Sequence, residues 1–198
     1  MRNVMQVLQE HPGILRGRIV QISGTAGLTL AIHLMASFQR SISPIAAYIG
    51  SRRVLPFPGD IEQAGVVLSQ LMVVLSQHPH THVVSAVDVL LRSQQIPVVC
   101  LDMVALSGEG SRGGPLLPPG VLARYMHQCR HSKTALIVLS GTLPVVLGPV
   151  VGVHLHTQIG HTVGHTAGGE DRLHVEVLRS RVSLHSGACD VVLPDRLC

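Results

Sequence analysis

Apolar and polar positions divide the first two thirds of the chain into two repeating patterns. Short runs of aliphatic residues predict buried strands at residues 18–22, 45–49, 71–75, 97–101 and 134–139. Apolar residues at helical spacing predict helices at residues 27–40, 61–69, 83–95 and 118–131, with a short helix at residues 3–10. Strands that alternate with helices are typical of a parallel sheet.

The pattern changes after Gly141. Residues 150–159, 172–178 and 189–193 have the composition of strands joined by short turns, which predicts an antiparallel extension. We therefore expect an α/β fold: a mostly parallel twisted sheet with helices on both faces and an antiparallel C-terminal β extension.

The same pattern predicts one core domain at residues 14–193. A short N-terminal helix or tail at residues 1–13 precedes it, and a tail at residues 194–198 follows. Residues 108–120 are rich in glycine and proline, which predicts a mobile loop.

Composition narrows the classes of function. The chain has 198 residues, of which 46% are hydrophobic and 2% aromatic, and this suits one domain with buried aliphatic strands. The formal charge of +4 is mild and unclustered, so a dedicated nucleic-acid binder is not indicated. The scattered cysteines form no C-x-x-C pair, and neither a signal peptide nor a long apolar run is present. We expect a cytoplasmic protein with no membrane contact.

A glycine turn follows the first predicted strand. The strand ends on Ser23 and Gly24, Gly27 follows, and a helical pattern begins, which is the context in which a phosphate-binding loop works. However, Leu28 stands where such a loop has its lysine, with Thr29 after it. Gly24 and Gly27 therefore serve either a tight strand-to-helix turn or residual nucleotide binding.

Several segments in this order resemble the core of the RecA-type recombinase ATPases. They are Arg16-Gly17-Arg18-Ile19-Val20 before the glycine turn, and residues 74–79, 98–106, 135–140 and 175–182. The resemblance covers roughly residues 14–193 and implies a P-loop NTPase fold. It also implies that Asp102 corresponds to the Walker B carboxylate, which helps hold the Mg²⁺ of bound ATP. Arg179 and Arg181 correspond to basic residues that reach a neighbouring subunit's phosphates.

The chain departs from this family at its catalytic groups. Leu28 replaces the lysine, no carboxylate lies near residues 50–52, and Ser140 or Gly141 replaces the γ-phosphate-sensing glutamine. The second DNA-binding loop is reduced to about residues 141–149 and has no basic residue. Because the loss of one such group usually abolishes phosphoryl transfer, the resemblance implies a pseudo-ATPase without a functional ATP or Mg²⁺ cofactor. Its vestigial nucleotide site would comprise Gly24, Gly27, Thr29 and Asp102.

The resemblance also implies a function and its partners. A RecA-like core without catalysis is expected to act as an accessory or regulatory protein-interaction subunit in DNA repair, recombination or SOS-induced translesion mutagenesis. The chain is similar to the small ImuA-like class of RecA-related proteins. The implied partner is a RecA-type filament or a Y-family-like polymerase protein. The resemblance implies that any DNA contact is weak or indirect, and it is also compatible with an oligomer. Arg179 and Arg181, predicted on the same side of one strand, form either this interface or an ordinary solvated face.

Three alternatives stay open at this stage. The first is a divergent nucleotide-binding ATPase or switch, and the second assigns Asp102 to helix capping. The third is a metal-dependent enzyme built on histidines, although no H-E-x-x-H motif accompanies them. His154 and His156 would share one strand face, which the family places at an exposed sheet edge. The histidines that prompt this hypothesis are His78, His80, His82, His154, His156, His161, His165 and His174.

Overall fold

Eight strands form a single sheet in the computed structural model, which describes residues 4–51, 56–76, 81–107, 117–141, 150–161, 171–181 and 188–192. The strands are β1 (Ile19–Gly24), β2 (Ala46–Ser51), β3 (Leu71–Ser76), β4 (Val98–Asp102), β5 (Ala135–Leu139), β6 (Val153–His161), β7 (Asp171–Ser180) and β8 (Ala188–Val192). Their spatial order is β3-β2-β4-β5-β1-β6-β7-β8.

Helices connect most of these strands. They are α1 (Val4–Glu10), α2 (Gly27–Ser41), α3 (Pro58–Gln63), α4 (Thr81–Ser93), α5 (Met103–Ser107) and α6 (Pro119–Ser132), with 3-10 helices at Pro12–Leu15 and Leu68–Gln70. Among the residues described, no helix combines the length and the apolar character that a membrane crossing requires.

Strand direction divides the sheet into two parts. From β3 to β6 every neighbouring pair is parallel, whereas β7 runs antiparallel to β6, and β8 antiparallel to β7. The predicted α/β fold with a mostly parallel sheet and an antiparallel C-terminal extension is therefore confirmed. One assignment is wrong: residues 150–159 were expected inside the extension, yet β6 lies parallel to β1 and joins the two parts. An apolar run contains no signal of strand direction, which only pairing determines.

Two buried clusters cover the two faces of the sheet. Side chains alternate along β5, so Ile137 belongs to the same buried cluster as Leu34 and Phe38 of α2. Val138 belongs to the cluster on the other face, with Val87 of α4 and Tyr125 of α6. The expected helices on both faces are thus present. Leu8 of α1 is fully buried in the α2 cluster, and α1 contacts α2, β7 and β8.

Several element bounds differ from the predictions. The predicted helix at residues 61–69 is two short helices separated near Gly65, whose φ of +90° is incompatible with a helix. Pro119 and Gly120 lie where the predicted loop at residues 108–120 and the predicted helix at residues 118–131 overlap, and they begin α6, in agreement with the helix prediction. Residues 108–116 of that loop lie outside the described residues. The helix α5 directly follows Asp102 and was not predicted, because its few residues show no helical period.

Candidate functional site

The carboxyl ends of β1, β4 and β5 meet at one edge of the sheet. The chain leaves β1 toward β2 on one side, and it leaves the adjacent β5 toward β6 on the other. This reversal is a topological switch point, where open α/β sheets usually bind ligands. The residues at this edge are Ser23, Gly24, Asp102, Ser140 and Gly141.

Gly24 makes the turn from β1 into α2 sterically possible. Its φ is +101°, and a Cβ atom there would overlap the backbone carbonyl of Thr157 on β6. The Gly24 N–H donates to the Gly141 carbonyl at 2.8 Å, so it is already engaged within the protein. Gly27, in contrast, begins α2, where an added Cβ would lie 3.5 Å from Ile22. Gly24 thus fits the tight-turn interpretation, whereas an added Cβ at Gly27 would make only an ordinary van der Waals contact.

The positions expected to touch nucleotide phosphates lie near this turn. Leu28 is half-buried and packs against the α2 core cluster, which is an apolar role in place of a charged one. Thr29 is partly exposed in α2 and lines a small cleft of about 130 Å³ together with His33 and Asp60. The cleft therefore combines an imidazole and a carboxylate with the threonine hydroxyl.

Asp102 is buried, and each of its carboxylate oxygens accepts a hydrogen bond. The Tyr48 hydroxyl donates to Oδ2 at 2.7 Å, and the Ala105 N–H donates to Oδ1 at 2.8 Å. The second bond caps α5, as the helix-capping interpretation predicts. Burial raises the pKa of the Tyr48 hydroxyl, and the adjacent Asp102 raises it further, so the hydroxyl keeps its proton and remains a donor. These two bonds fix the orientation of the carboxylate within the protein.

The end of β5 is tied to β1 by side-chain and backbone hydrogen bonds. The fully buried Gln21 donates through Nε2 to Ser140 Oγ at 3.0 Å, and the Ser140 N–H donates to the Ile22 carbonyl at 3.0 Å. Ser140 is one of the two residues, with Gly141, that the resemblance to the RecA-type ATPases implied in place of the sensor glutamine. In this chain the position therefore joins two strands.

A cluster of Ser23, His154 and His156 lies between β1 and β6. His154 Nε2 and His156 Nδ1 each lie 3.0 Å from Ser23 Oγ, and Ser23 and His154 are buried at 2% and 6% exposure. Burial lowers the pKa of His154, and the neighbouring His156 adds to this effect. The expectation of an exposed sheet edge is wrong, because β3 and β8 are the edges and β6 is interior. The alternation of the two histidines was visible in the sequence, but their serine partner was not.

The β6–β7 pair presents polar residues on one face. His154 lies opposite Arg179, His156 opposite Glu176, and Gln158 opposite His174. The register shifts at His154/Leu155, where Leu178 has no opposite residue and is 50% exposed. We call these six polar residues of β6 and β7 the polar face.

The two arginines of the predicted interface differ in their surroundings. Arg181 lies just beyond β7, which ends at Ser180. Its side chain is exposed, and its N–H donates to the Gly152 carbonyl at 2.8 Å. Arg179 is half-buried within the strand.

The remaining histidines do not form a shared site within the described part of the chain. There, no three His, Cys, Asp or Glu side chains are grouped so that they could hold a metal ion. His82 lies in α4, and His161 lies at the end of β6. His78, His80 and His165 lie outside the described residues.

The sequence matches no protein-family model and no curated protein.

Proposed function

We propose that this chain is a degenerate P-loop NTPase of the RecA-like type. It does not hydrolyse ATP, and it acts as an accessory protein-interaction subunit in DNA repair, recombination or damage-induced mutagenesis. The strand order supports the fold assignment, because a glycine turn enters a helix at the switch point where nucleotides bind in such sheets. The compartment that we propose is the cytoplasm.

One observation carries the non-catalytic part of the proposal. At the switch-point edge, polar groups that could meet a nucleotide are bonded within the protein: the Asp102 carboxylate to Tyr48 and Ala105, and Ser140 to Gln21. Leu28 contributes to the core where a cation would be needed to neutralise phosphate charge. Phosphoryl transfer depends on positioned cations and Mg²⁺. This edge therefore keeps the strand-turn-helix arrangement of a nucleotide site but lacks, in its described residues, the cationic side chain that would stabilise the transferred phosphate.

The proposed interaction surface consists of the polar face, which includes Arg179, together with Arg181. Arginine suits such a surface because its planar guanidinium pairs with carboxylates and phosphates in two parallel hydrogen bonds. The partner we propose is a RecA-type filament or a Y-family-like polymerase protein. DNA contact is weak or indirect, since the six residues of the polar face include no Phe, Tyr or Trp as a base-stacking platform.

ATP turnover tests the first part of the proposal. Purified protein with ATP, Mg²⁺ and single-stranded DNA should show no hydrolysis above background, and a fluorescent ATP analogue should show no saturable binding. The matched variant is Asp102→Asn, which keeps the size of the side chain. DNA-stimulated turnover that disappears in Asp102→Asn would show that the site is active and would favour a divergent ATPase or switch.

Charge reversal tests the interaction surface. The double variant Arg179→Glu with Arg181→Glu should weaken binding to a purified RecA-type filament or polymerase partner at least tenfold. The control is Arg92→Glu with Arg130→Glu, which makes the same charge change at exposed positions of α4 and α6. Equal affinities of the two folded double variants would refute this interface.

A further inference from the structure

Two imidazoles share one serine hydroxyl at the junction of β1 and β6. Ser23 Oγ lies 3.0 Å from His154 Nε2 and 3.0 Å from His156 Nδ1, and the Leu155 carbonyl lies 3.4 Å from the same oxygen. A hydroxyl has one proton to donate, and a neutral imidazole has one N–H and one acceptor nitrogen. If both rings donated to Oγ, its proton would be left with the Leu155 carbonyl at the weaker 3.4 Å. The two 3.0 Å contacts therefore favour the arrangement in which one ring donates to Oγ and the other accepts from it.

The surroundings of His156 indicate which ring donates. Gln158 is exposed, and its amide nitrogen lies 3.2 Å from His156 Nε2, so that nitrogen accepts in this orientation. The proton of neutral His156 is then on Nδ1 and is donated to Ser23 Oγ, while the Ser23 proton is donated to His154 Nε2. The hydrogen bonds thus run in one direction from the exposed Gln158 to the buried His154.

We propose that Ser23, His154 and His156 form a relay that binds a single proton and makes the polar face pH-sensitive toward acidic partners. A proton from solvent binds His156 Nε2, and the Gln158 amide turns so that its oxygen accepts. The charge can then pass inward: the Nδ1 proton of His156 moves to Ser23 Oγ as the Oγ proton moves to His154 Nε2. The relay gains one proton in total, and no covalent bond changes other than the N–H and O–H bonds named.

A second proton is strongly disfavoured by the same geometry. The two ring nitrogens lie at most about 6 Å apart, because each is 3.0 Å from one oxygen. Repulsion between two unit charges at that distance weakens the second uptake on the order of 100-fold. In addition, Oγ would have to accept from both rings and direct its proton to the Leu155 carbonyl, at a weaker 3.4 Å.

The charged groups around the relay determine what the proton changes. From β7, Arg179 is paired in register with His154, Glu176 with His156, and His174 with Gln158, while β1 contributes only the uncharged Gln21 and Ser23. A proton on His156 adds positive charge opposite Glu176 and next to Arg179. Acidic groups of a partner therefore meet a more positive surface at lower pH.

This inference names the partner chemistry and the regulation of the proposed interaction surface, and so it rests on that proposal. The decisive test needs no partner. Ring nuclear magnetic resonance signals of the full chain, followed as a function of pH, should show that the two rings respond together to the first proton, with the second proton bound about two pH units lower. In Ser23→Ala the two rings should titrate separately. Two wild-type protons with the same midpoint, or an unchanged titration in Ser23→Ala, would overturn the relay.

An acidic polymer tests the consequence for binding. Polyaspartate stays ionised between pH 7.5 and 5.8. Lowering the pH across this range should increase its affinity for the wild-type protein, and this increase should be about two- to fivefold larger than the increase for His156→Gln. The control His127→Gln removes an exposed histidine of α6 and should behave as wild type. Equal pH dependence of His156→Gln and His127→Gln would refute acid recognition by the polar face. Failure of the filament or polymerase to bind would instead refute only the proposed function.

Discussion

The strands β5 and β7 belong to one sheet but have different surroundings. All five residues of β5 are buried, because α2 packs on one side of the parallel strands and α6 on the other. Along the β7 stretch 173–177, buried Leu173, Val175 and Val177 alternate with the more accessible His174 and Glu176. Parallel sheets need helices on both faces, whereas an antiparallel pair can leave one face to water.

This difference determines what polar residues can do in each region. At the end of the parallel strands, Asp102, Gln21 and Ser140 are bonded to other protein groups, because a buried polar group without a partner is costly. On β7, Glu176 is exposed, and His174 and Arg179 are half-buried. Binding chemistry is therefore expected on the antiparallel part, and structural hydrogen bonds on the parallel part.

The largest predicted effect is at the junction of the two parts. Gly24→Ala should destabilise the protein by roughly 4 kcal/mol or more, because the added Cβ overlaps the Thr157 carbonyl at a positive φ. Urea unfolding measures the change in the free energy of unfolding. If Gly24→Ala shows no cooperative transition, the variant is unfolded, which also agrees with the prediction. Gly120→Ala in α6 is the control, since no atom lies within 4 Å of its Cβ position. Similar stability of both variants would show that β1 and β6 can separate at this point.

A pair of apolar truncations compares the two regions directly. Ile137→Ala in β5 should cost about 3 kcal/mol, because the side chain is fully buried and its loss leaves a cavity. Leu178→Ala in β7 should change the free energy of unfolding by less than about 0.5 kcal/mol, because Leu178 is 50% exposed at the bulge. Denaturant melts of the two variants give both numbers. A large loss for Leu178→Ala would mean that another part of the chain covers the bulge.

Two tyrosines test whether Asp102 is held as a buried carboxylate. Tyr48→Phe should cost about 2 kcal/mol, because it leaves a buried charged acceptor with one fewer donor. Tyr125→Phe should cost about 1 kcal/mol, since its hydroxyl donates to the neutral Val84 carbonyl at 3.0 Å. Both free energies come from urea unfolding at pH 7.5. Equal losses would contradict the stronger bond at Asp102.

The smallest predicted effect is the pH dependence of stability from one histidine in each region. Burial lowers the pKa of His33, with Arg40 adding to this, and burial also lowers the pKa of His154. The unfolded chain then binds protons at higher pH than the folded protein does. Stability should be highest above pH 6.5 and fall as the pH drops below it. His33→Gln and His154→Gln should each reduce this fall between pH 7.5 and 5.5, and an unchanged slope would exclude that histidine as a contributor.

Part of the site was predictable because its signals are local. The turn with Gly24 and Gly27 was evident from two glycines between an apolar run and a helical period, and Asp102 from its place after a buried strand. The partners of these residues were not evident. Tyr48 lies 54 residues before Asp102, and His154 lies 131 residues after Ser23. Contacts over such separations depend on strand order and register, which periodicity does not encode.

The sequence by itself determined most of the strands and helices and their order, because side-chain spacing acts within each segment. The exceptions are α5 and the break near Gly65. The tertiary structure decided that β6 pairs parallel to β1, that the bulge displaces Leu178, and that β7 ends before Arg181. It also decided that His154 and His156 share the hydroxyl of Ser23. Each of these outcomes depends on hydrogen bonds between distant strands, whose stability comes from packing the whole sheet between its helices.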